Sequence, residues 1–348
     1  MIYQMSFLIV LSYILVKIVI RNARTLHFLD IPNDRSHHCD IIPRGAGVGF
    51  VSAFFIGILL FQYQLFVENL FIFVAIFLVF LVGIVDDRYE VSARWKFIVI
   101  FISVFLMWVY GLTINSLGSW FGYEISLLTY IALPFSMFAL AGFTNALNLI
   151  DGIDGLSSTI SIIILSFFVF IGLEYDNNLI VVLASFTIAS LVGFLFLNWN
   201  PAHIFMGDSG SLTLGFIISV LSVLSVEYIH PVVILYLAAV PILDTLIVMV
   251  RRIRRGKSAL SPDKTHLHHI MVRFFEMNVR KTVIFMGILQ IIFSSIGYML
   301  IDIIQLDNNK IIPFLSLVGF ALFFVLFYMI FTGIKKRQIA LDKKANEN

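Results

Sequence analysis

The stretch Asn145 to Leu156, reading N-A-L-N-L-I-D-G-I-D-G-L, lies between two strongly apolar segments and carries two asparagines, two aspartates and two glycines. Ionisable groups that deep in a hydrophobic sequence are costly, and each marks a functional position by default. Asn145, Asn148 and Asp151 recur every third residue, so a continuing helix lines them on one face. Gly152 and Gly155 permit tight turns or close approach of the backbone to a ligand. A capped inner loop is the plain alternative, yet two D-G steps separated by one residue are more particular than such a loop requires.

Three other polar clusters sit at the ends of apolar runs. Asp86 and Asp87 close one run and are followed by Arg88, Arg94 and Lys96. Adjacent carboxylates repel and gain from a divalent cation or a shared proton, as in phosphate-handling sites, although a charged helix end reads the same way. Asn198 to Ser211 reads N-W-N-P-A-H-I-F-M-G-D-S-G-S. Pro201 stops the preceding helix, and Gly207 to Gly210 lead into the next apolar run. Asp208 and Ser209 therefore fall at a helix amino terminus, where free N–H groups and the dipole favour phosphate; plain capping by either residue fits as well. Last comes Thr265-His266-Leu267-His268-His269, after Pro262-Asp263-Lys264. Three close histidines suggest zinc, but no Cys or acidic residue stands at tetrahedral-site spacing. Contact with phosphate or sugar hydroxyls fits better, with Lys264 helping to hold the anion.

These clusters need elements to position them, and composition says which kind. Of 348 residues 60% are hydrophobic and 13% charged, with a mean hydropathy of +1.00, which excludes an ordinary soluble domain. The fold class expected is all-α, a polytopic integral membrane protein. Apolar runs of spanning length fall at 2–20, 46–63, 68–85, 96–112, 125–143, 157–173, 179–197, 211–226, 231–249, 282–303 and 312–333, about eleven transmembrane helices. An amino terminus on the outside places 21–45, 86–95, 144–156, 198–210 and 250–281 in the cytoplasm, as loops of a single transmembrane catalytic domain over 1–348, together with the tail after 333. Nearly all 23 Lys and Arg then lie inside; Lys17 is near the inner end of the first run and only Lys310 falls outside. That asymmetry is the positive-inside pattern. The first run has no basic residue before Lys17 and no small-residue cleavage pattern, so it reads as a retained span. Cys39 is the only cysteine, which leaves no disulfide framework. Trp120, Phe121 and Tyr123 read as an interfacial aromatic belt, and the R-R-I-R-R run at 251–255 reads mainly as a topology anchor beside the anionic leaflet.

The four clusters, in this order, resemble the polyprenyl-phosphate N-acetylhexosamine-1-phosphate transferases, a superfamily that includes phospho-N-acetylmuramoyl-pentapeptide transferase. The likeness covers nearly the whole chain, including D-I-P-N-D-R-S-H-H and P-R-G-A-G in the first inner loop, where Ala46 departs from the glycine common among relatives. The resemblance implies transfer of N-acetylhexosamine-1-phosphate from a UDP-sugar to undecaprenyl phosphate, with release of UMP. It implies Mg2+ as cofactor, with Mn2+ as a substitute, at Asp208 and Asn148. Asp86 and Asp87 would activate the lipid phosphate as base or nucleophile, with Lys96 closing that motif. Asp154, Asn198 and Phe205 would hold the nucleotide, Phe205 by stacking on uracil, and His266, His268 and His269 would close on the sugar and diphosphate. Asn145, Asp151 and Lys264 complete the expected substrate contacts.

The D-K-T-H-L-H-H loop is closer to the glycan-initiating branch than to the muropeptide enzyme, so UDP-N-acetylglucosamine is the expected donor and a cell-wall or O-antigen glycan the expected product. The implied setting is the bacterial inner membrane, with the site facing the cytoplasm. A muropeptide-type activity is the nearest alternative. From another class, Asp151, Asp154, Asp208 and Asp244 could form the relay of an ion-coupled transporter. No repeated halves accompany them, and most stand at helix ends. Asp244 alone lies within a run, without an assigned role. Whether the chain pairs as a homodimer is not legible in the sequence, and nothing in it points to nucleic acid.

Overall fold

A computed structural model describes residues 1–30, 41–256 and 266–347, with side chains as far as 338. Most of the first inner-loop motif, together with Lys264 and Thr265, lies outside the described residues. The chain begins with α1 (Ile2–Leu26), followed by the two-stranded pair β1 (Leu29–Asp30) and β2 (Ile42–Pro43), antiparallel with Leu29 opposite Pro43. Then come α2 (Gly47–Phe61), α3 (Tyr63–Glu68), α4 (Leu70–Tyr89) and α5 (Ala93–Val109). The pair β3 (Ser116–Trp120) and β4 (Tyr123–Ser126) carries the aromatic residues Trp120, Phe121 and Tyr123. Four long helices follow, α6 (Thr129–Ile150), α7 (Leu156–Glu174), α8 (Asn178–Asn198) and α9 (Asp208–Ser225). The remainder is α10 (Pro231–Leu237), α11 (Ala239–Arg254), α12 (Leu267–Phe274), α13 (Val279–Leu306) and α14 (Ile312–Glu347).

The protein is an all-α, multi-pass membrane protein. Every expected apolar run holds a helix, although length and composition alone mark fewer than eleven of them as spans. Among the described residues eight helices are long and apolar enough to cross a membrane, or nine if α10 and α11 form one span broken by an 86° bend. The difference lies in α2 and α5, of 15 and 17 residues, and in that bend. Helices dominate because a bilayer offers the backbone no water to bond, so N–H and C=O groups must pair within the chain. At the starts of α8 and α13 a side chain takes up a free N–H group: Asn177 Oδ1 accepts from Ile180 N at 3.1 Å, and Asn278 Oδ1 from Lys281 N at 2.9 Å.

The chain divides into two compact units, residues 1–117 with 126–229, and residues 118–125 with 230–348. In the first unit α9 is the central element, with 89% of its span buried against 22% for α1. The small residues of α4 and α9 explain how neighbours come so near. At Gly83 an added Cβ would stand 2.5 Å from Ser209 Cα and 2.6 Å from the Asp208 carbonyl oxygen. Gly215 lies as close to α6, where an added Cβ would meet Thr144 Cα at 2.9 Å. On its other flank α8 packs with α1, and Ser12 Oγ donates to the Ser190 carbonyl at 2.6 Å.

In the second unit the bend between α10 and α11 leaves backbone groups without helical partners, and α13 supplies them. Gln290 Oε1 accepts from Val240 N at 3.1 Å, while Gln290 Nε2 and Ser294 Oγ donate to the Leu237 carbonyl at 2.7 and 2.9 Å. Tyr236 closes the apolar core around Ala239, Leu243, Phe293 and Phe320, its hydroxyl donating to the Ser316 carbonyl at 2.7 Å.

Because Gly83 meets backbone and not a flexible side chain, Gly83→Val should force α4 away from α9. Overpacking of this kind costs about 1–3 kcal/mol. Thermal unfolding of the detergent-solubilised variant should show the loss, and an unchanged transition would mean that the two helices separate freely.

Candidate active site

The site of the first unit is assembled at helix ends. Thr144 of α6 lies against Gly215 of α9, and seven residues toward the end of α6 and the start of α9 lead to Asp151 and Asp208. In two antiparallel helices with equal rise per residue, this sets Asp151 level with Asp208. Gly83 brings α4 to the same level, one turn before Asp86 and Asp87.

Asp87 is 3% exposed, and its carboxylate is bonded to the start of α9. Oδ1 accepts from Asp208 N at 2.7 Å, and Oδ2 accepts from Ser209 N at 3.1 Å and from the Ser209 hydroxyl. A side chain from α4 thus does the capping, while Gly207, the residue before the helix, leaves room with its φ of 73°. Arg44, in the P-R-G-A-G turn, donates from Nε to the Asp87 carbonyl at 3.0 Å. Neighbouring Asp86 is less enclosed. Its Oδ1 accepts from Val91 N at 2.7 Å and pairs with Lys96 Nζ at 2.9 Å. Lys96 also pairs with Asp208, so one cation joins two carboxylates from different helices.

The N-W-N-P loop is held by a second set of bonds. Asn198, 4% exposed, accepts from Gly155 N and donates to the Ile204 carbonyl, both at 2.9 Å. Asp154 Oδ2 accepts from Asn200 Nδ2 at 2.8 Å and from Ala202 N at 3.0 Å. Phe205 is fixed through its backbone: its N–H bonds the Pro43 carbonyl at 2.9 Å, and its carbonyl accepts from Ala46 N at 3.1 Å. Asn145, Asn148 and Asp151 contrast with these, since no side-chain hydrogen bond engages them among the described residues. Asp151 stands just past the end of α6, and its carboxyl is pushed up to about 8 by burial, then by the charges of Asp208, Asp87 and Asp154.

In the second unit the histidine motif is built on Asp244, the aspartate that the sequence left without a role. Asp244 is 1% exposed; its Oδ2 meets His266 Nδ1 at 2.9 Å, and its Oδ1 accepts from Leu267 N at 2.7 Å. One carboxylate therefore orients His266 and caps α12. His268 Nδ1 lies 3.8 Å from the same Oδ2, and the rings of His266 and His268 are stacked with centroids 5.6 Å apart.

No three His, Cys, Asp or Glu side chains are grouped as a dedicated metal cage among the described residues. Mg2+ needs no such cage, because it is held by one or two carboxylates together with phosphate oxygens and water. A hard oxygen donor set with excess negative charge around Asp151 suits it.

Comparison with known proteins shows the family. Residues 69–226 match the family described as glycosyl transferase family 4. A probable undecaprenyl-phosphate N-acetylglucosaminyl 1-phosphate transferase of Bacillus subtilis (strain 168) is 36% identical over 285 residues, covering 81% of this chain and 79% of that protein. The chain belongs to this family. It is also similar to undecaprenyl-phosphate alpha-N-acetylglucosaminyl 1-phosphate transferases, that of Yersinia pestis at 30% identity over 78% of this chain and 74% of the relative, and that of Escherichia coli (strain K12) at 30% over 72% and 71%. Family membership agrees with the resemblance drawn from the four motifs, and it makes the chain a sugar-phosphate transferase.

Sequence reasoning singled out Asp86, Asp87, Lys96 and Asp208, and the structure brings them together. It missed Arg44 and Asn200 as supports, although each sits inside a motif already marked. For Asn200 the available signal was its place two residues after Asn198.

Two outcomes follow. A carboxyl whose pKa is raised on folding binds its proton more tightly in the folded state, so its stabilising contribution is full below the unfolded value of 3.8 and is lost as pH rises through about 8. With a chelator present, thermal stability should decline across that window, and Asp151→Asn should flatten the decline; parallel profiles would dissociate Asp151 from it. Separately, Asp244→Ala removes the α12 cap and the His266 partner. Amide hydrogen exchange at 267–274 should accelerate by an order of magnitude or more, in line with about 1–2 kcal/mol for a lost cap, while the exchange of α9 stays unchanged.

Proposed function

We propose that the protein transfers N-acetylglucosamine-1-phosphate from UDP-N-acetylglucosamine to undecaprenyl phosphate, releasing UMP and beginning a lipid-linked cell-surface glycan. The observation that carries this reading is the Lys96 bridge between Asp86 and Asp208 at the capped start of α9, within a chain of this family. An acceptor phosphate oxygen forms a new anhydride bond to the sugar-bearing phosphorus as the bond from that phosphorus to the UMP oxygen breaks. One phosphoanhydride replaces another, so the step is close to thermoneutral, and catalysis rests on alignment and charge neutralisation.

The chain's own groups have separable tasks in this reaction. Asp87 takes up the first two N–H groups of α9 and so fixes that helix start, which sets Asp208 beside Lys96. Asp86, the more accessible of the pair, takes the last proton from the acceptor phosphate. Lys96 supplies positive charge beside both carboxylates. Asn145 and Asp151 offer hydrogen-bonding groups to the donor, and Asp154 and Asn198 hold the loop that carries Phe205. Asp208 and Asn148 would bind Mg2+, which when bound offsets the charge of the diphosphate. The positive-inside pattern supports a site facing the cytoplasm of a bacterial inner membrane, where a soluble nucleotide donor and a lipid acceptor meet.

The test is reconstitution. Purified protein with UDP-N-acetylglucosamine, undecaprenyl phosphate and Mg2+ should form the lipid diphosphosugar and UMP, and should run backwards when UMP is supplied. Asp208→Asn should lower the rate on the order of 10³-fold, and chelation should stop both directions. Release of UDP in place of UMP would refute the reading, because the glycosidic bond would then be the one broken.

A further inference from the structure

The R-R-I-R-R run does more than mark an end of a span. Arg251 and Arg254 of α11 and the adjoining Arg255 line, together with Lys335 and Lys336 of α14, a cavity of about 500 Å³. Two of the arginines are held in place by α14. Arg251 donates to Thr332 Oγ1 at 3.2 Å and Arg254 to the Tyr328 hydroxyl at 3.0 Å, and the Tyr328 ring lies 5.0 Å from the Arg254 guanidinium. Retention of a topology requires only that positive charge lie in the loop; it does not require arginines tethered around a hollow. At Gly333, which also lines the cavity, an added Cβ would meet nothing within 4 Å, so the floor is open.

The same face of α14 continues as apolar surface. Leu322, Val325, Leu326 and Met329 are 65, 48, 44 and 58% exposed and follow the i, i+3, i+4, i+7 spacing of one helical stripe. Four and seven residues beyond Met329 the stripe reaches Gly333 and Lys336. A ligand that matches both parts carries a phosphate at one end and a hydrocarbon chain at the other.

We propose that this cavity binds the headgroup of an anionic phospholipid, whose acyl chain lies along the Leu322 to Met329 stripe. Arginine suits phosphate through its planar set of donors, and each cation near a membrane surface adds attraction for an anionic lipid. Undecaprenyl phosphate and free phosphate share the phosphate chemistry. The acyl stripe argues against free phosphate, and five cations suit a headgroup retained for long periods more than a substrate that must leave.

Native mass spectrometry of the purified full-length protein tests this with phosphatidylglycerol, phosphatidylcholine of the same acyl chains, undecaprenyl phosphate and inorganic phosphate as probes. Phosphatidylglycerol should be retained well above phosphatidylcholine, and inorganic phosphate should not displace it. The triple variant Arg254→Gln, Lys335→Gln, Lys336→Gln should lose retention by about tenfold or more, whereas Arg21→Gln, Arg24→Gln, Lys281→Gln, the same loss of charge elsewhere, should keep it. Gly333→Leu fills the hollow without changing charge and should lose retention too, so the question stays answerable if the triple variant does not fold. Unchanged retention in the folded variants, equal loss in the control, displacement by inorganic phosphate, or retention of undecaprenyl phosphate alone would each overturn the proposal.

Discussion

The structure of the first unit depends on one carboxylate reaching from the end of one helix to the start of another. Asp87 accepts hydrogen bonds from the first two N–H groups of α9 and from the Ser209 hydroxyl. Burying a carboxylate is expensive unless its hydrogen bonds are made, and free N–H groups at a buried helix start are expensive in the same way. Each problem is the solution of the other. The bond also ties the site together: with α9 fixed to α4, Asp208 stands beside Lys96, and Lys96 also pairs with Asp86.

Close helix packing is the condition for this arrangement. With no water to expel, helices in a bilayer associate through van der Waals contact and polar bonds, and small residues let backbones approach. Gly83 and Gly215 stand at such contacts on two flanks of α9. They place the ends of α4 and α6 at one level, where polar residues from distant parts of the sequence meet. The second unit repeats the strategy with different parts, since Asp244 both caps α12 and orients His266. In each case a single buried acid organises a helix start.

Much of this was legible in the sequence because the signals were large. Long apolar runs fixed the class, and four polar interruptions within them marked where chemistry could occur. What was not legible was the division of labour inside each cluster. Asp86 and Asp87 are identical residues side by side, and only the helical phase separates the one that caps α9 from the one beside Lys96. Asn198 looked like a ligand-binding amide, yet its side chain bridges Gly155 to Ile204. Helix lengths were also concealed: hydropathy shows that 231–249 is apolar, but not that Ala238 turns the chain through 86°. That turn depends on Gln290, fifty residues later, and no local pattern contains it.

The dependence on Gln290 also bears on biogenesis. A chain is synthesised from its amino terminus, so α10 and α11 emerge before the helix that satisfies their broken backbone. Until α13 follows, the Leu237 carbonyl and the Val240 N–H lack the partners that Gln290 and Ser294 provide, and each unsatisfied backbone group costs several kcal/mol in hydrocarbon. Residues 231–254 are thus poorly suited to enter the lipid alone. They become a stable insertion when α13 arrives, which makes these three helices one unit of membrane integration and places that unit late in the assembly of the protein.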